Sequence, residues 1–491
     1  MTDIKLTAFG KNDIRGIYKD DVTEELFYFV GRGFVDFLVK NTNLQAKELW
    51  ITVSQDARLS SESLAKSLIR GITSMGSNVI NLGLVPTPLG YFSEFVQYPR
   101  EISFGAKVNA ALIVTASHNP PEYNGLKLTF NKSSLTEEQI SLVKDFTSDH
   151  IKNSSNAYRW GLCKSFDIVP MYIDKLSSYF GNIGKNIKVV VDSANATGGI
   201  VAPKLYREIG CDVIELYSNP DGNFPNHHPN PSDESTLNDL KQKVVEVNAD
   251  IGIAFDGDSD RIGIVLPTGE SITGDKLLLI YSLDVIEDLV KRGEKPVVVS
   301  EVKCSQVLYD TINNKGASAI MCKTGHGYIK SMMKEKNAIL AGEMSGHIFF
   351  KDRYYGFDDA IYAGLRIIEI IAKYKNLNPD FKLNSLLEPF NKVFCSKEIR
   401  YKCPNDLKLK VLNDLKSKIN NDKNIFKSEI KDIITLDGMR IVFDGGFALI
   451  RQSNTEPVFT LRFEACNEAV CKSYENIMLD LLNNCIDTYK N

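Results

Sequence analysis

The chain has 491 residues, too many for one hydrophobic core, and about three or four domains of ordinary size are therefore expected. A net charge of -4 and a pI near 6.0 give no electrostatic footprint for nucleic acid or for an anionic membrane surface, so small-molecule partners are expected. No apolar stretch approaches the ~20 residues of a membrane span, and the first residues lack a secretion-signal pattern, which indicates a cytoplasmic protein.

Strand-like and helix-like segments alternate over most of the chain, a pattern that is typical of α/β domains. The strand-like segments lie at 49–53, 78–85, 111–116, 187–194, 211–217, 251–255, 296–302 and 317–324. The helix-like segments between them lie at 61–76, 235–248, 274–293 and 358–374. Three successive α/β units of similar size follow from this order, although no residue-level repeat connects them.

The pattern changes after about residue 385. Short strand-like segments are followed by a Lys-rich helix at 405–419, a hairpin-like run at 433–464 and a final helix, which predict a smaller α+β domain. The predicted domains are therefore 1–160, 161–268, 269–386 and 387–491.

The segment FDGDSDR, residues 255 to 261, is the strongest signal for a metal. Asp256, Asp258 and Asp260 alternate directly after a strand, and in a loop this spacing lets three carboxylates converge on one hard cation such as Mg²⁺. A polar turn with Asx caps is the alternative. A calcium-binding EF-hand is excluded, because its sixth and twelfth positions require Gly and Glu but are Arg261 and Pro267 here.

Ser117 lies in the polar, proline-closed turn TASHNP after the apolar run ending at residue 115, where α/β sheets place ligand-handling groups. An acyl-transfer nucleophile would require the G-x-S-x-G elbow, which is absent. A phosphoryl carrier would require a cation and hydrogen-bond donors, which the Asp loop and nearby basic residues could supply. The remaining interpretation is a serine that only caps the turn.

Two further polar turns follow predicted strands. RQSNTEP, residues 451 to 457, has one guanidinium and several short donors, which fits a phosphate-binding turn or an ordinary loop. In GEMSGH, residues 342 to 347, Glu343, Ser345 and His347 alternate, so an acceptor and a donor would face one ligand, as vicinal sugar hydroxyls require. His118 and His326 also lie in polar segments, although a structural hydrogen bond is the commoner role for a histidine.

Arginine is the minority cation of this chain, yet several arginines fall in or beside these motifs. They are Arg15, Arg58, Arg261, Arg451 and Arg462. This distribution indicates positions where a planar, bidentate donor is needed, or else a chance clustering.

Together, TASHNP, DGDSDR, GEMSGH and RQSNTEP, in that order and one per predicted domain, resemble the α-D-phosphohexomutase family. The supporting segments are DIRG at 13–16, QDARLSS at 55–61, NPPEYNGLK at 119–127, KTGH at 323–326 and GFDDAIYAGLR at 356–366. The resemblance spans nearly the whole chain. It implies a heart-shaped α/β architecture of four domains, three similar α/β domains and a smaller α+β C-terminal domain, around a central cleft.

The resemblance also implies roles for individual residues. Ser117 would carry the phosphate as phosphoserine and would join Asp256, Asp258 and Asp260 in binding one Mg²⁺ per active site. Catalytic roles near the reacting phosphate fall to Arg15, His118, Lys127, Arg261 and His347, of which Lys127 and His347 are the candidates for general acid or base. Substrate binding falls to Lys323, His326, Glu343, Ser345, Arg451, Ser453, Asn454 and Thr455.

The implied reaction interconverts hexose 1-phosphate and hexose 6-phosphate, with hexose 1,6-bisphosphate as intermediate and activator. Met344 favours mannose or glucose phosphates, because phosphoglucosamine mutases tend to carry Gln at that position. A phosphoglucosamine mutase is the first alternative, followed by a metal-dependent sugar phosphatase and a non-catalytic sugar-phosphate-binding protein. Hexose phosphates are the expected partners, without nucleic acid or membrane, for a monomer or weak homodimer. The segment 97–110 is predicted to be a surface excursion.

Overall fold

The computed structural model describes residues 4–153, 160–453 and 457–489. Its contacts divide the chain into two compact units. Unit 1 comprises Met1–Ile272, Ser345–Ile348 and Phe357–Lys382. Unit 2 comprises Thr273–Met344, Phe349–Gly356 and Leu383–Asn491. The chain therefore changes unit inside the GEMSGH motif, between Met344 and Ser345.

Strands and helices alternate along the described chain, as the sequence predicted. The first region contains β1 (Ile14–Ile17), α1 (Glu24–Asn41), β2 (Trp50–Gln55), α2 (Ser61–Ser74), β3 (Asn78–Leu84), α3 (Thr87–Phe92), α4 (Arg100–Ser103), β4 (Ala110–Val114), β5 (Tyr123–Phe130), β6 (Ser133–Ser134), α5 (Glu137–Lys152) and β7 (Cys163–Ser165). The second contains α6 (Val169–Phe180), β8 (Lys188–Asp192), α7 (Gly198–Glu208), β9 (Asp212–Leu216), α8 (Asn238–Glu246), β10 (Ile251–Phe255), β11 (Ile262–Val265) and β12 (Ser271–Ile272).

The remaining elements complete both units. The third region contains α9 (Gly274–Lys291), β13 (Val297–Glu301), α10 (Gln306–Asn314), β14 (Ser318–Cys322), α11 (His326–Lys336), β15 (Leu340–Gly342), β16 (Ile348–Phe350) and α12 (Ala360–Leu377). The last contains β17 (Phe394–Cys395), β18 (Ile399–Lys402), α13 (Asn405–Asn421), β19 (Asp432–Ile434), β20 (Met439–Phe443), β21 (Gly446–Gln452), β22 (Val458–Ala465) and α14 (Glu468–Asp487). Short 3-10 turns cover Ala46–Glu48, Glu234–Leu237 and Leu383–Lys392.

The first sheet of unit 1 has the order β1-β5-β4-β2-β3-β7, with β6 paired to β5. β4 is parallel to β2 and antiparallel to β5. Its five residues are all buried because both faces are covered. Leu112 belongs to the core that includes residues of α1 and α2, whereas Ile113 lies against Gly90 of α3. This two-sided burial explains the unbroken apolar run that precedes TASHNP.

Helix α1 was not predicted from the sequence. Its two glycines, Gly31 and Gly33, reduce helix propensity, which weakens the sequence signal. In the structure they permit close helix packing, since a Cβ on Gly31 would lie 2.5 Å from the Leu68 carbonyl oxygen and one on Gly33 would lie 2.7 Å from the Thr147 nitrogen. Helix α1 therefore depends on tertiary packing rather than on the helix propensity of its own residues.

The second sheet of unit 1 has the order β12-β11-β10-β8-β9, in which β8, β9 and β10 are parallel. Helix α12, predicted as the end of the third α/β segment, lies in unit 1. The Tyr206 hydroxyl of α7 donates to the Ile361 carbonyl of α12 at 3.0 Å, and Gly364 gives the tyrosine ring room. The carboxyl ends of β4 and β10 carry the two motifs TASHNP and FDGDSDR.

Unit 2 contains the other two sheets. One has the order β14-β13-β15-β16, with β13 parallel to both β14 and β15. The other is antiparallel, with the order β17-β22-β21-β20-β19 and β18 on β22, so the hairpin-like run is a four-stranded meander. The smaller α+β region is as predicted. Among the described residues, no helix is long and apolar enough to cross a membrane.

The segment 97–110 is less of a surface excursion than predicted. It contains the short helix α4, and Tyr98 is buried edge-on against Phe166 at 5.1 Å. Phe104, by contrast, is exposed. The segment is therefore fixed at one end and exposed at its tip.

Glu94 makes the stability of unit 1 depend on pH. Burial raises the pKa of this carboxyl to about 7, although hydrogen bonds from the Thr129 hydroxyl and the Lys132 backbone N–H partly oppose the shift. A carboxyl whose folded pKa is raised stabilises the fold below its ordinary pKa near 4.5, and that contribution is lost as the pH rises through about 7.

The free energy of unfolding of the wild type should therefore fall between pH 5 and pH 8. We expect Glu94→Gln to make that fall smaller by up to about 3 kcal/mol. Urea unfolding of both proteins at several pH values measures the effect, with Glu101→Gln as an exposed control. Parallel stability curves for wild type and Glu94→Gln would contradict the assignment.

Candidate active site

Ser117 lies in a strained turn directly beyond β4. Its backbone has φ 53°, the left-handed region that costs energy for a residue with a Cβ. The Ser117 hydroxyl donates to Asp256 Oδ2 at 2.7 Å and lies 3.2 Å from His118 Nδ1. Its backbone N–H donates to Thr115 Oγ1 at 2.9 Å. The turn therefore presents the hydroxyl to the Asp loop, which argues against a simple capping role.

The three aspartates predicted to bind a metal converge. Their ligand oxygens all lie within 4.8 Å of one another, and all three side chains are buried. The loop is closed by its own backbone, because Asp256 Oδ1 accepts from the N–H groups of Asp260 and Arg261 at 3.1 and 3.2 Å. Ser259, with φ 62°, supplies the sharp turn.

The donor set fits Mg²⁺. Asp258 Oδ2 accepts from the Thr87 hydroxyl and the Lys127 ammonium, both at 2.6 Å, and Asp260 Oδ2 also accepts from Lys127. The Oδ1 atoms of Asp258 and Asp260 are buried with no hydrogen-bond partner among the described residues. Burial and the two neighbouring carboxylates raise the pKa of Asp256 well above its ordinary value. A hard cation would satisfy these oxygens and keep all three carboxylates ionised.

Lys127 is held as an ammonium ion. It lies on β5 beside β4, so its side chain reaches the Asp loop from the neighbouring strand. Burial lowers its pKa, but the charges of Asp258 and Asp260 outweigh burial and raise the pKa well above the ordinary value. In this structure Lys127 is therefore positively charged and donates hydrogen bonds to the Asp loop.

Two arginines extend the positive charge around Ser117. Arg15 Nη1 donates to Asn119 Oδ1 at 2.9 Å, which places the guanidinium on the TASHNP turn. Arg261 Nε donates to His347 Nε2 at 3.0 Å, and its Nη1 lies 3.5 Å from His118 Nε2. Burial and the charges of both arginines lower the pKa of His118, so this imidazole is neutral.

His347 is oriented by Asp358, a residue that the sequence analysis did not single out. The Nδ1 atom lies 3.2 Å from Asp358 Oδ2 and 3.6 Å from Asp260 Oδ1. Because Nε2 accepts from Arg261, the proton of a neutral His347 is on Nδ1. Burial lowers the His347 pKa, but Asp260 and Asp358 reverse the effect and the net shift is upward. His347 can therefore take a proton at Nε2.

Arg58 holds the backbone of the Ser117 turn. All five of its N–H groups donate, one to Asp56 Oδ2 at 3.1 Å and four to carbonyl oxygens of the segment 117–123. The four carbonyls belong to Ser117, Asn119, Pro120 and Tyr123, at 2.5 to 3.0 Å. Asp56 also accepts from the Thr115 hydroxyl at 2.8 Å. The sequence signals for Arg58 were its position beside a motif and its place in QDARLSS, a segment that supports the family resemblance, and neither predicted this role.

The predicted sugar and phosphate ligands of unit 2 lie on neighbouring loops. Glu343 Oε1 accepts from the Gly325 N–H at 3.1 Å, so GEMSGH contacts KTGH. Arg451 Nε donates to Asp437 Oδ2 at 2.9 Å. The Ser453 N–H donates to the Val458 carbonyl at 3.0 Å. Asn454 and Thr455 lie outside the described residues.

The structure thus groups the candidate residues by unit. Unit 1 brings together Arg15, Ser117, His118, Lys127, Asp256, Asp258, Asp260, Arg261 and His347. Unit 2 contains Lys323, His326, Glu343, Arg451 and Ser453. Ser345 belongs to unit 1, where its carbonyl accepts from the Ser232 hydroxyl at 2.9 Å.

Three residues with contacts in these groups, Asp358, Thr87 and Lys303, were missed, and Arg58 was noted only for its place beside a motif. Asp358 orients His347, Thr87 binds the Asp loop, and Arg58 binds the Ser117 turn. Lys303 lies 3.6 Å from the fully buried Glu301, which in turn accepts from the Met344 N–H at 2.9 Å. Its position just beyond the carboxyl end of β13 is a signal that sequence reasoning could have used.

We expect Mg²⁺ to raise the thermal midpoint of the wild-type protein, because it binds the folded carboxylate cluster and not the unfolded chain. At 100 times its dissociation constant the gain is about 2.7 kcal/mol. Asp258→Asn should lose most of this gain, whereas Asp149→Asn, an exposed control on α5, should keep it. An equal Mg²⁺ shift in Asp258→Asn would contradict the metal site.

Arg58→Ala should destabilise the protein by about 3–5 kcal/mol, because Asp56 is left as an uncompensated buried charge. Arg58→Lys should lose less stability than Arg58→Ala, because lysine keeps the positive charge. Some loss should remain, because lysine lacks the fork of five donors. Urea unfolding measures both, with the exposed Arg70→Ala on α2 as control. A loss below about 1 kcal/mol for Arg58→Ala would refute the role of this network.

Comparison with known proteins identifies the family. Four domain models of phosphoglucomutase/phosphomannomutase match, namely alpha/beta/alpha domain I at residues 6–152, domain II at 170–269, domain III at 273–390 and the C-terminal domain at 398–481. A phosphomannomutase/phosphoglucomutase of Pseudomonas aeruginosa is 37% identical over 462 residues, which cover 94% of this chain and 92% of that protein. A phosphoglucomutase of Neisseria gonorrhoeae is 36% identical over 484 residues, covering 97% and 96%.

A solved structure agrees with the sequence relatives. The crystal structure of a phosphoglucomutase/phosphomannomutase family protein from Burkholderia thailandensis has a TM-score of 0.85 and 32% identity, and the match covers 98% of each chain. The resemblance drawn from four motifs and the predicted α/β fold class are confirmed. The chain belongs to the phosphoglucomutase/phosphomannomutase family.

Proposed function

We propose that this protein is a phosphohexomutase that interconverts hexose 1-phosphate and hexose 6-phosphate, with mannose and glucose phosphates as substrates. The observation that carries the proposal is the Ser117 hydroxyl, held in a left-handed turn 2.7 Å from Asp256 of a carboxylate loop that fits Mg²⁺. The names of the relatives support the same activity.

The chemistry proposed for unit 1 is phosphoryl transfer between Ser117 and a sugar hydroxyl. The bond between phosphorus and Ser117 Oγ breaks, a bond between phosphorus and the sugar oxygen forms, and the hydroxyl proton moves to a base. The reverse transfer from the other end of the 1,6-bisphosphate regenerates phosphoserine. Asp256, Asp258 and Asp260 would hold a Mg²⁺ ion together with an oxygen of phosphorylated Ser117. This ion would neutralise charge on the transferring phosphate.

Lys127 and Arg15 supply fixed positive charge. Each has N–H donors within the group around Ser117, and such donors stabilise the charge of a phosphoryl group without rearrangement during the reaction. Arg261, which donates to His347 in this structure, adds its charge when its guanidinium turns to the phosphate. His118, kept neutral by burial and its arginine neighbours, is suited to a hydrogen bond with the phosphate or its leaving oxygen rather than to proton storage.

Proton transfer is assigned to His347 and Lys127. His347 has its Nδ1 atom facing Asp358, so Nε2 is the site at which it accepts the hydroxyl proton once Arg261 turns to the phosphate. Lys127 is already charged and can donate a proton to a leaving oxygen. The pair therefore offers one base and one acid, as a reaction run in both directions requires.

Residues of unit 2 and Ser345 are assigned to the part of the substrate that does not react. Glu343 and Ser345 bind sugar hydroxyls, and Lys323 and His326 bind the sugar phosphate. Arg451, Ser453, Asn454 and Thr455 bind the distal phosphate. The contacts of Gly325 with Glu343 and of Arg451 with Asp437 support the view that these residues are positioned before the substrate binds. Hexose 1,6-bisphosphate would activate the enzyme by phosphorylating Ser117.

The test is a coupled mutase assay with Mg²⁺ and a trace of glucose 1,6-bisphosphate, comparing mannose 1-phosphate, glucose 1-phosphate and glucosamine 1-phosphate. We expect turnover of mannose and glucose phosphates that falls by at least about a thousandfold in Ser117→Ala, because the phosphate carrier is removed. His150→Gln, a histidine on α5, is the matched control and should stay active.

Three outcomes distinguish the alternatives. Turnover of glucosamine 1-phosphate alone would indicate a phosphoglucosamine mutase, and release of inorganic phosphate without isomer formation would indicate a phosphatase. Full mutase activity in Ser117→Ala would reject the phosphoserine mechanism altogether.

A further inference from the structure

Asp437 joins two loops of unit 2 that carry candidate substrate ligands. One oxygen, Oδ2, accepts from Arg451 Nε at 2.9 Å and from the Thr324 backbone N–H at 3.1 Å. Arg451 belongs to RQSNTEP and Thr324 to KTGH, two segments that are more than a hundred residues apart in the chain. The Asp437 and Arg451 side chains are 18% and 8% exposed, so solvent screens their ion pair only weakly.

The contact depends on a close approach of backbones. Asp437 lies in the turn between β19 and β20, and the next residue, Gly438, has φ 84°. A Cβ on Gly438 would lie 2.3 Å from the Ile450 carbonyl oxygen and 2.6 Å from Arg451 Cα. Only glycine fits this space and this backbone angle, and the turn therefore packs directly against the strand that carries Arg451.

The KTGH loop is held between two carboxylates. Thr324 donates its N–H to Asp437, and the next residue, Gly325, donates its N–H to Glu343 Oε1 at 3.1 Å. Gly325 has φ 127°, a backbone conformation that residues other than glycine rarely adopt, at the point where the loop enters α11. A continuous path of polar contacts thus runs from Arg451 through Asp437 and the KTGH loop to Glu343.

We propose that Asp437 is a positioning residue that holds Arg451 and the KTGH loop in a fixed register, so that the ligands for the sugar and for its distal phosphate are ordered together. The inference deepens the proposed function, on which it rests for the identity of the ligand. Asp437 acts through Arg451: it accepts from Nε and so fixes the plane of the guanidinium, while a phosphate would be bound through the terminal nitrogens.

Asp437→Asn tests the proposal, because the amide keeps the size of the side chain but removes the charge. We expect KM for glucose 1-phosphate to rise by about tenfold, the effect of one charge-assisted hydrogen bond, with kcat changed by less than about threefold. Asp444→Asn, an exposed acid in the β20–β21 turn, is the control and should leave both constants unchanged. An unchanged KM in Asp437→Asn would overturn the proposal.

A double-mutant cycle separates positioning from a general structural role. In an Arg451→Ala background, Asp437→Asn should change KM by less than about twofold, because the ion pair is already absent and the asparagine amide oxygen can still accept from the Thr324 N–H. Fully additive effects would overturn the proposal, as would a thermal midpoint more than about 5 °C below wild type in both Asp437→Asn and Asp437→Glu.

Calorimetric binding of glucose 6-phosphate provides a readout that does not require turnover. If wild type binds the sugar phosphate but shows no mutase activity, the proposed function fails, and weaker binding by Asp437→Asn with unchanged binding by Asp444→Asn still supports the positioning role. If wild type does not bind the sugar phosphate, or if all three proteins bind it equally, the positioning role is rejected.

Discussion

Electrostatic repulsion among three buried carboxylates organises the candidate active site of unit 1. Asp256, Asp258 and Asp260 have ligand oxygens within 4.8 Å of one another, and burial removes the water that would otherwise screen them. Hydrogen bonds to these carboxylates offset the repulsion. They come from Lys127, from the Thr87 hydroxyl and from backbone N–H groups of the loop itself. Asp258 Oδ1 and Asp260 Oδ1 have no hydrogen-bond donor within the described part of the chain, and a divalent cation would satisfy both oxygens.

The position of Ser117, the candidate phosphate carrier, depends on this carboxylate cluster and on a second constraint. Ser117 donates to Asp256, so its hydroxyl is aimed by the carboxylate loop, while its left-handed backbone must be held against the energy of that conformation. Arg58 meets this requirement, because a planar fork of five donors can bind several carbonyls of one turn at once. Charge therefore holds the turn from both sides: a carboxylate cluster in front and a buried guanidinium behind.

Unit 2 uses a different arrangement for a related purpose. Its loops carry neutral backbone donors between carboxylates, with Thr324 and Gly325 bound to Asp437 and Glu343. Such contacts order the loops without using up the cationic side chains that a sugar phosphate requires. Arginine recurs in both units where rigid geometry matters, whereas lysines such as Lys11, Lys66 and Lys291, of the commoner cation type in this chain, are exposed.

The α/β class, the smaller C-terminal α+β region, the carboxylate loop and the serine turn could all be predicted from the amino-acid sequence. These features are local: strand periodicity, D-x-D-x-D spacing and a polar turn after a buried strand are each contained within a few residues. Four motifs in chain order were also sufficient to identify the family. Helix α1 was missed, because the value of its glycines lies in contacts with residues of α2 and α5 that are distant in the chain.

Which residues contact one another in the site could not be predicted, because these contacts form only in the folded protein. Asp358 beside His347, Arg58 behind Ser117, Asp437 between Arg451 and Thr324, and α12 packed in unit 1 all join segments far apart in sequence. Hydrogen bonds and ion pairs act over about 3 to 4 Å in space, and that distance is unrelated to separation along the chain. Residue types and their spacing therefore predict the chemistry of a site, whereas the folded core alone sets the partners that orient it.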